Sequence, residues 1–278
     1  MLFIVNPISG HKRKSIIIAF LKDKGYKVVC TEYPGHAEQL AREASETVIV
    51  AVGGDGTVNE VARGIVGTEK ILGIIPCGSG DGLALHLGIS RFYKQALKCI
   101  LQKKVIQIDS GLINGKPFFS VCGTGFDAVV SERFAKSGKR GLINYIDIGL
   151  KTWMEYEPEK HLVEIDGKCL EIDASLITVG NSSQWGNNAK IAPTADIHDG
   201  FLDMTAVDRV SALEMPTLAL QLMTGTLDKN HKVHCYRGRE FKICRPTPGP
   251  AHADGEWFSA GKDLEIRIVP NSLNVIIP

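Results

Sequence analysis

No stretch of the 278-residue chain approaches the roughly 18–20 apolar residues that a membrane helix needs, so no spanning helix is expected. Charge bias is also lacking. Lys and Arg number 32 against 31 Asp and Glu, a formal net charge of +1, which leaves no footprint for bulk nucleic-acid binding. The seven cysteines (Cys30, Cys77, Cys99, Cys122, Cys169, Cys235, Cys244) are odd in number and include no Cys-x-x-Cys pair. Reduced, mostly buried thiols of a cytosolic protein fit that pattern. Neither G-x-x-x-x-G-K-[ST] nor G-x-G-x-x-G occurs, which disfavours a P-loop NTPase and a dinucleotide Rossmann enzyme. Repeats, low-complexity tracts and long linkers are missing. Met1–Val5 is a short strand pattern ended by Asn6-Pro7, not a signal peptide. What remains is a globular composition, 44% hydrophobic and 23% charged, with length for one large domain or two ordinary ones.

The chain turns on Val52-Gly-Gly-Asp-Gly-Thr-Val-Asn-Glu60. Thr47–Ala51 before it is apolar and largely β-branched, a buried parallel strand by pattern. Val58–Val66 after it has apolar residues at helical spacing. Gly53, Gly54 and Gly56 allow positive φ and let a ligand approach the backbone. The helix start offers N–H groups and a positive dipole end to a phosphate. Asp55 is a carboxylate among those donors. A plain strand–helix corner is the alternative.

Strands are predicted at Leu2–Val5, Lys27–Thr31, Thr47–Val52 and Ile71–Ile75, with helices at His11–Lys24, His36–Glu46 and Phe92–Gln102. That alternation means a parallel, doubly wound sheet. Ligands in such sheets sit beyond the strands' carboxyl ends. Asn6–Gly10, Gly53–Asn59 and Gly78–Gly82 all follow strand ends and should line one crevice. His11, Lys12, Arg13 and Lys14 open a helix against its dipole, a conflict that a polyanion would relieve; a solvated basic face is the alternative.

From Val105 strand patterns dominate, with hairpin signals at Asn114-Gly115 and Asp166-Gly167 and helices at Ala128–Ala135 and Leu142–Trp153. An antiparallel β domain follows. Asp196, Asp199 and Asp203 have oxygen ligands at loop spacing, suited to magnesium or calcium rather than zinc; a solvated acidic turn is the alternative. The apolar run Val210–Thr226 and the group Trp153, Met154 and Tyr156 are taken as core; an acyl-chain pocket or a membrane contact is the alternative.

Asn6-Pro-Ile-Ser-Gly10, Gly53-Gly-Asp-Gly-Thr57 with Asn59-Glu60, and Gly78-Ser-Gly80 together resemble the catalytic domain of the diacylglycerol/sphingosine lipid kinase family, soluble bacterial type. Gly125-Phe-Asp-Ala128, Asp199-Gly-Phe-Leu-Asp203 and Asp254-Gly-Glu256 follow in the family's order, so the resemblance spans nearly the whole chain. GGDGT alone is shared with NAD kinases; the opening NPxSG and the closing DGE favour the lipid-kinase branch. The second loop departs from the pattern: Gly82 stands where a carboxylate is usual, with Asp81 next door.

The resemblance implies an NAD kinase/diacylglycerol kinase-like fold. Residues 1–108 plus about 270–278 would form the nucleotide-binding α/β domain, and 109–269 a β-sandwich-like lipid- and metal-binding domain. It implies ATP on Asn6, Pro7, Ser9, Gly10, Thr31, Gly53, Gly54, Asp55, Gly56, Thr57, Asn59, Glu60, Gly78 and Ser79. It implies Mg²⁺ on Asp199 with the carbonyls of Asp196 and Phe201, and Glu256 as proton acceptor, supported by Asp55, Asp109 and Asp254. The expected reaction moves the γ-phosphoryl of ATP to a hydroxyl of diacylglycerol or a related sphingoid or ceramide lipid entering between the domains. The alternatives are an NAD kinase and a non-catalytic nucleotide- or lipid-binding pseudokinase. A cytoplasmic protein, peripherally associated with a membrane surface that carries its lipid substrate, is expected; a homodimer stays open, and no nucleic-acid partner is expected.

Overall fold

A computed structural model describes residues 1–7, 11–138 and 142–278. Ser9 and Gly10 of the implied nucleotide set lie outside the described residues. The chain divides into two compact units, Met1–Asp109 with Pro270–Pro278, and Ser110–Val269.

The first unit begins β1 (Leu2–Val5), α1 (His11–Asp23), β2 (Lys27–Cys30), α2 (His36–Glu43), β3 (Val48–Gly53), α3 (Asp55–Ile65), β4 (Ile71–Pro76). Two helices follow, α4 (Gly82–His86) and α5 (Tyr93–Gln102), and then β5 (Val105–Ile113), which leads into the second unit. The order β2-β1-β3-β4 is parallel throughout. β1 and β3 are buried along their whole length, which is why they read as unbroken apolar runs. Because β1, β3 and β4 are parallel neighbours, their carboxyl ends fall on one edge of the sheet, and the loops after them start there.

One expectation is corrected. α3 starts at Asp55, not Val58, so the acid belongs to the helix's first turn. Gly53, Gly54 and Gly56 are not among the positive-φ residues. Glycine is required at 53 and 54 by closeness: an added Cβ would sit 2.4 Å from the Thr57 side chain at Gly53 and 3.0 Å from Gly78 Cα at Gly54.

The second unit carries β6 (Lys116–Phe118), β7 (Val121–Gly125), α6 (Phe126–Lys136), α7 (Leu142–Glu155), β8 (Glu159–Ile165), β9 (Lys168–Ala174), β10 (Leu176–Gly180) and β11 (Leu202–Val207). It continues with α8 (Met215–Thr224), β12 (Val233–Gly238), β13 (Glu240–Cys244), β14 (Gly249–Ala253) and β15 (Glu256–Ala260). β16 (Asp263–Ile276) begins in this unit and ends in the first, where Asn274 and Val275 pair in parallel with Ile71 and Leu72 of β4.

One antiparallel sheet runs β12-β11-β10-β7-β14-β15. Facing it are β9, β8, β13 and the start of β16, with the β5–β6 hairpin. Side chains from both sheets, including Phe118, Val163, Ile177, Met204, Phe241 and Ile266, form one buried core, as in a sandwich. Asn114-Gly115 and Asp166-Gly167 turn their hairpins with both residues at positive φ.

The segment Pro117–Cys122 divides between β6 and β7, which belong to different sheets. The β14–β15 hairpin has no counterpart in the pattern reading, because Pro246, Pro248 and Pro250 break the strand signal. The core expectation for Val210–Thr226 holds on one face only. Met215, Leu218 and Leu222 pack on a second apolar cluster with Trp153, while Leu213 is 92% and Leu220 64% exposed. Met154 is exposed too. The cysteines are all unpaired, but only Cys99 and Cys122 are buried, fewer than expected. No helix among the described residues is long and apolar enough to cross a membrane.

Candidate functional site

In the first unit the two glycine loops lie backbone on backbone. A Cβ added at Gly78 would stand 2.6 Å from Gly54 Cα. Asp55 ties the loops together: its Oδ2 accepts the Asp81 N–H at 2.8 Å and its Oδ1 the Gly82 N–H at 2.6 Å. Asp81 holds its own loop, at positive φ, with Oδ1 accepting the Gly78 N–H at 2.8 Å and Oδ2 3.2 Å from Arg91 Nε. Arg91 also donates to the carbonyls of Ser79 and Gly80. Burial raises the pKa of both acids; the backbone donors oppose the rise, and for Asp81 the Asp55 charge adds to it. Asp81 is therefore a staple of the second loop.

Gly54 precedes α3 with no side-chain cap, which leaves the helix start to its backbone donors. Thr57 and Asn59 are buried in the following turn, Gly56 is exposed, and Ser79 is exposed at the tip of the second loop. Asn6 and Thr31 sit at the ends of β1 and β2, Pro7 after them half-buried; the Asn6 N–H donates to Val52 O and the Thr31 N–H to Val5 O. Lys14 of α1 is buried and donates from Nζ to Asn6 O at 2.6 Å, so it is not part of a solvated basic face. Burial lowers its pKa. The carboxylate of Glu60, also in the implied nucleotide set, accepts the N–H groups of Gly35 and Ala37, both at 3.0 Å, and so caps α2.

Asp109 is buried and accepts the Asn271 N–H at 2.7 Å, holding the end strand in the first unit. In the second unit Asp254-Gly255 forms the turn of the β14–β15 hairpin, both at positive φ. The Asp254 carboxylate accepts three N–H groups, from Phe119 (2.9 Å), Ser120 (2.8 Å) and Val121 (3.0 Å). Burial outweighs those donors, Glu256 adds to the rise, and the Asp254 pKa is pushed up to about 6. Three acids given catalytic parts, Asp55, Asp109 and Asp254, thus spend oxygens on backbone donors. Glu256, two residues on, is exposed.

The implied magnesium set lies in the second unit. Asp199 Oδ1 accepts the Phe201 N–H at 2.9 Å, and Oδ2 pairs with Arg237. The guanidiniums of Arg237 and Arg239 each lie 4.8 Å from the Phe201 ring centre. Asp196 Oδ1 takes the His198 N–H. The implied set is one carboxylate and two backbone carbonyls, oxygen donors of the kind a magnesium ion takes. Among the described residues no group of three or more His, Cys, Asp or Glu could hold one.

A model of the diacylglycerol kinase catalytic domain matches residues 1–113, and one of the YegS C-terminal NAD kinase beta sandwich-like domain matches residues 120–277. A diacylglycerol kinase of Mycobacterium tuberculosis is 30% identical over 295 residues, covering 99% of this chain and 94% of its own length. The chain belongs to the diacylglycerol kinase/YegS family of lipid kinases. An uncharacterized protein of Synechocystis is 31% identical over 250 residues, 87% of this chain, and the chain spans 57% of that protein's length. The crystal structure of a Bacillus anthracis diacylglycerol kinase superposes with a TM-score of 0.76 over 100% of this chain and 96% of its own, at 20% identity, which shows a shared fold.

Some residues of this lipid kinase escape pattern reading. Arg91 touches the second glycine loop and Lys14 the carbonyl of Asn6, yet neither belongs to the loop motifs. Lys14, at 1% exposure, needs polar company. Asp127 and His252 of the second unit form a buried pair that no local spacing announces, since 125 residues separate them.

Proposed function

We propose that this lipid kinase takes MgATP as its phosphoryl donor and phosphorylates the hydroxyl of diacylglycerol or a related sphingoid or ceramide lipid. The observation that carries the reading is the pair of glycine loops, locked at contact distance by Asp55 beside the uncapped start of α3. A rigid array of backbone donors at a helix start suits a polyphosphate. Phosphoryl transfer depends on positioning and charge neutralisation, with modest demand on a base. The nucleotide's Mg²⁺ neutralises phosphate charge and comes with the substrate; no step uses Asp199. Gly54, Gly56, Thr57, Gly78 and Ser79 bind and orient the phosphates. Asp55 and Asp81 keep the loops in place rather than taking a proton. Glu256 of the DGE turn, an exposed carboxylate, accepts the hydroxyl proton, the part that the resemblance to the family gives it.

The test is transfer from labelled ATP with Mg²⁺ to vesicles containing dioleoylglycerol, ceramide or a total lipid extract, with NAD as a parallel acceptor. A labelled lipid that disappears with Glu256→Gln supports the reading. Transfer to NAD alone, or ATP binding without transfer, overturns it.

A further inference from the structure

Thr178, Gly123 and His252 stand side by side on β10, β7 and β14. Asp127, in the first turn of α6, reaches over Gly123 and joins its two neighbours. Its Oδ2 accepts the Thr178 hydroxyl at 2.7 Å and lies 3.0 Å from His252 Nε2, and its Oδ1 accepts the Ala128 N–H at 2.8 Å. Glycine is needed beneath this bridge. A Cβ at position 123 would come within 2.8 Å of Asp127 Oδ2 and 3.1 Å of His252 Nε2. Asp127 and His252 are 4% and 2% exposed, so the bond is shielded from water.

The other ring nitrogen faces the DGE turn. His252 Nδ1 accepts the N–H of Gly255 at 3.3 Å. A nitrogen that accepts carries no proton, so the imidazole is the Nε2–H tautomer and donates to Asp127. A carboxylate thus fixes an imidazole, and the imidazole fixes the residue between Asp254 and Glu256. The turn has two tethers: Asp254 to the N–H groups of 119–121, and Gly255 to His252.

We infer that Asp127 and His252 are a positioning pair for this lipid kinase, holding the hairpin turn so that the Glu256 carboxylate is presented in one orientation. The inference rests on the proposed role of Glu256. Neither residue touches the reacting atoms. Asp127 sets the tautomer; His252 supplies the acceptor. Misplacing a reacting group by about 1 Å lowers a rate by about 100-fold, so loss of a tether should appear in kcat rather than in KM.

Two isosteres divide the imidazole's functions. Asn places its amide oxygen near the Nδ1 position and can still accept from Gly255. Gln places its amide nitrogen near Nε2 and can still donate to Asp127, but leaves Gly255 unheld. His252→Gln should speed amide hydrogen exchange at Gly255 and lower kcat about 10- to 100-fold, with the KM for ATP and for dioleoylglycerol vesicles within about 2-fold. His252→Asn should keep the exchange protection and recover most of kcat. Asp127→Asn should allow the tautomer to invert and behave like His252→Gln. A long-range ¹H–¹⁵N spectrum of the wild type should show the Nε2–H tautomer. An Nδ1–H tautomer, unchanged Gly255 exchange in His252→Gln, or equal loss in the Asn and Gln variants overturns the inference. If Glu256→Gln keeps full activity, the base assignment fails instead, and exchange at Gly255 still decides whether the pair holds the turn.

Discussion

Asp55 accepts the backbone N–H of Gly82 at 2.6 Å, across 27 residues of sequence. An acid in a GGDG turn is easily taken for a reacting group. Its oxygens are committed to the second loop, and with Gly54 against Gly78 they make two loops one surface. Replacing Asp55 by Ala leaves two N–H groups unheld, which costs about 1–3 kcal/mol for each that stays buried. Urea unfolding should show that loss, and calorimetry should show ATP affinity falling with it. ATP bound at wild-type affinity by Asp55→Ala would remove the loop-clamp role.

The glycines separate shape from freedom. Gly78→Ala sets a methyl 2.6 Å from the Gly54 backbone, which cannot swing aside. ATP affinity should fall at least about 10-fold, as each 1.4 kcal/mol of misfit weakens binding tenfold. Gly56 is helical, with nothing within 4 Å of an added Cβ. Gly56→Ala should raise stability by up to about 1 kcal/mol, because alanine loses less entropy in a helix. Calorimetry of ATP binding checks the first statement and thermal unfolding the second.

Asp254 gives stability a definite pH dependence. Unfolded, its carboxyl ionises near 4; folded, burial pushes it up to about 6. Between these values the folded chain keeps a proton that the unfolded chain has lost. Its contribution is therefore fully present below about pH 4 and is lost as pH rises through about 6. Asn tolerates the positive φ at this position and does not titrate. Urea unfolding from about pH 4 to 7 should show Asp254→Asn without this component of the wild-type decline. Parallel curves for the two proteins would count against a buried, ionising Asp254.

The exposed face of α8 should tolerate polarity. Leu220 is 64% exposed, and Leu220→Gln should change stability by no more than about 0.5 kcal/mol. Phe241 is fully buried between the sheets of the second unit, and Phe241→Ala should cost about 3–5 kcal/mol. Midpoints and slopes of urea unfolding compare them directly.

Much of this fold is legible in the chain. β1 and β3 are unbroken apolar runs because both their faces are covered, and Asn114-Gly115 and Asp166-Gly167 mark hairpins because each supplies two residues for positive φ. The β14–β15 hairpin is not legible, since its prolines mask a strand whose partners lie elsewhere in the chain. The glycine loops are visible as motifs, but the reason for their glycines is not. Positive φ is a local property, whereas Gly54 against Gly78 is a contact between distant segments.

By itself the sequence determined the alternation of strands and helices, the hairpin turns, the order of the motifs and hence the lipid kinase family. These depend on period and local backbone preference, which neighbouring residues carry. Only the tertiary structure decided what each acid does. Asp55, Asp109 and Asp254 hold backbone, Glu60 caps a helix, Asp199 meets Arg237, and Glu256 is exposed. The reason is physical: a carboxylate's role is set by the donors and charges packed against it, and for Asp55, Glu60, Asp109 and Asp254 the donors named come from residues 23 to 162 positions away.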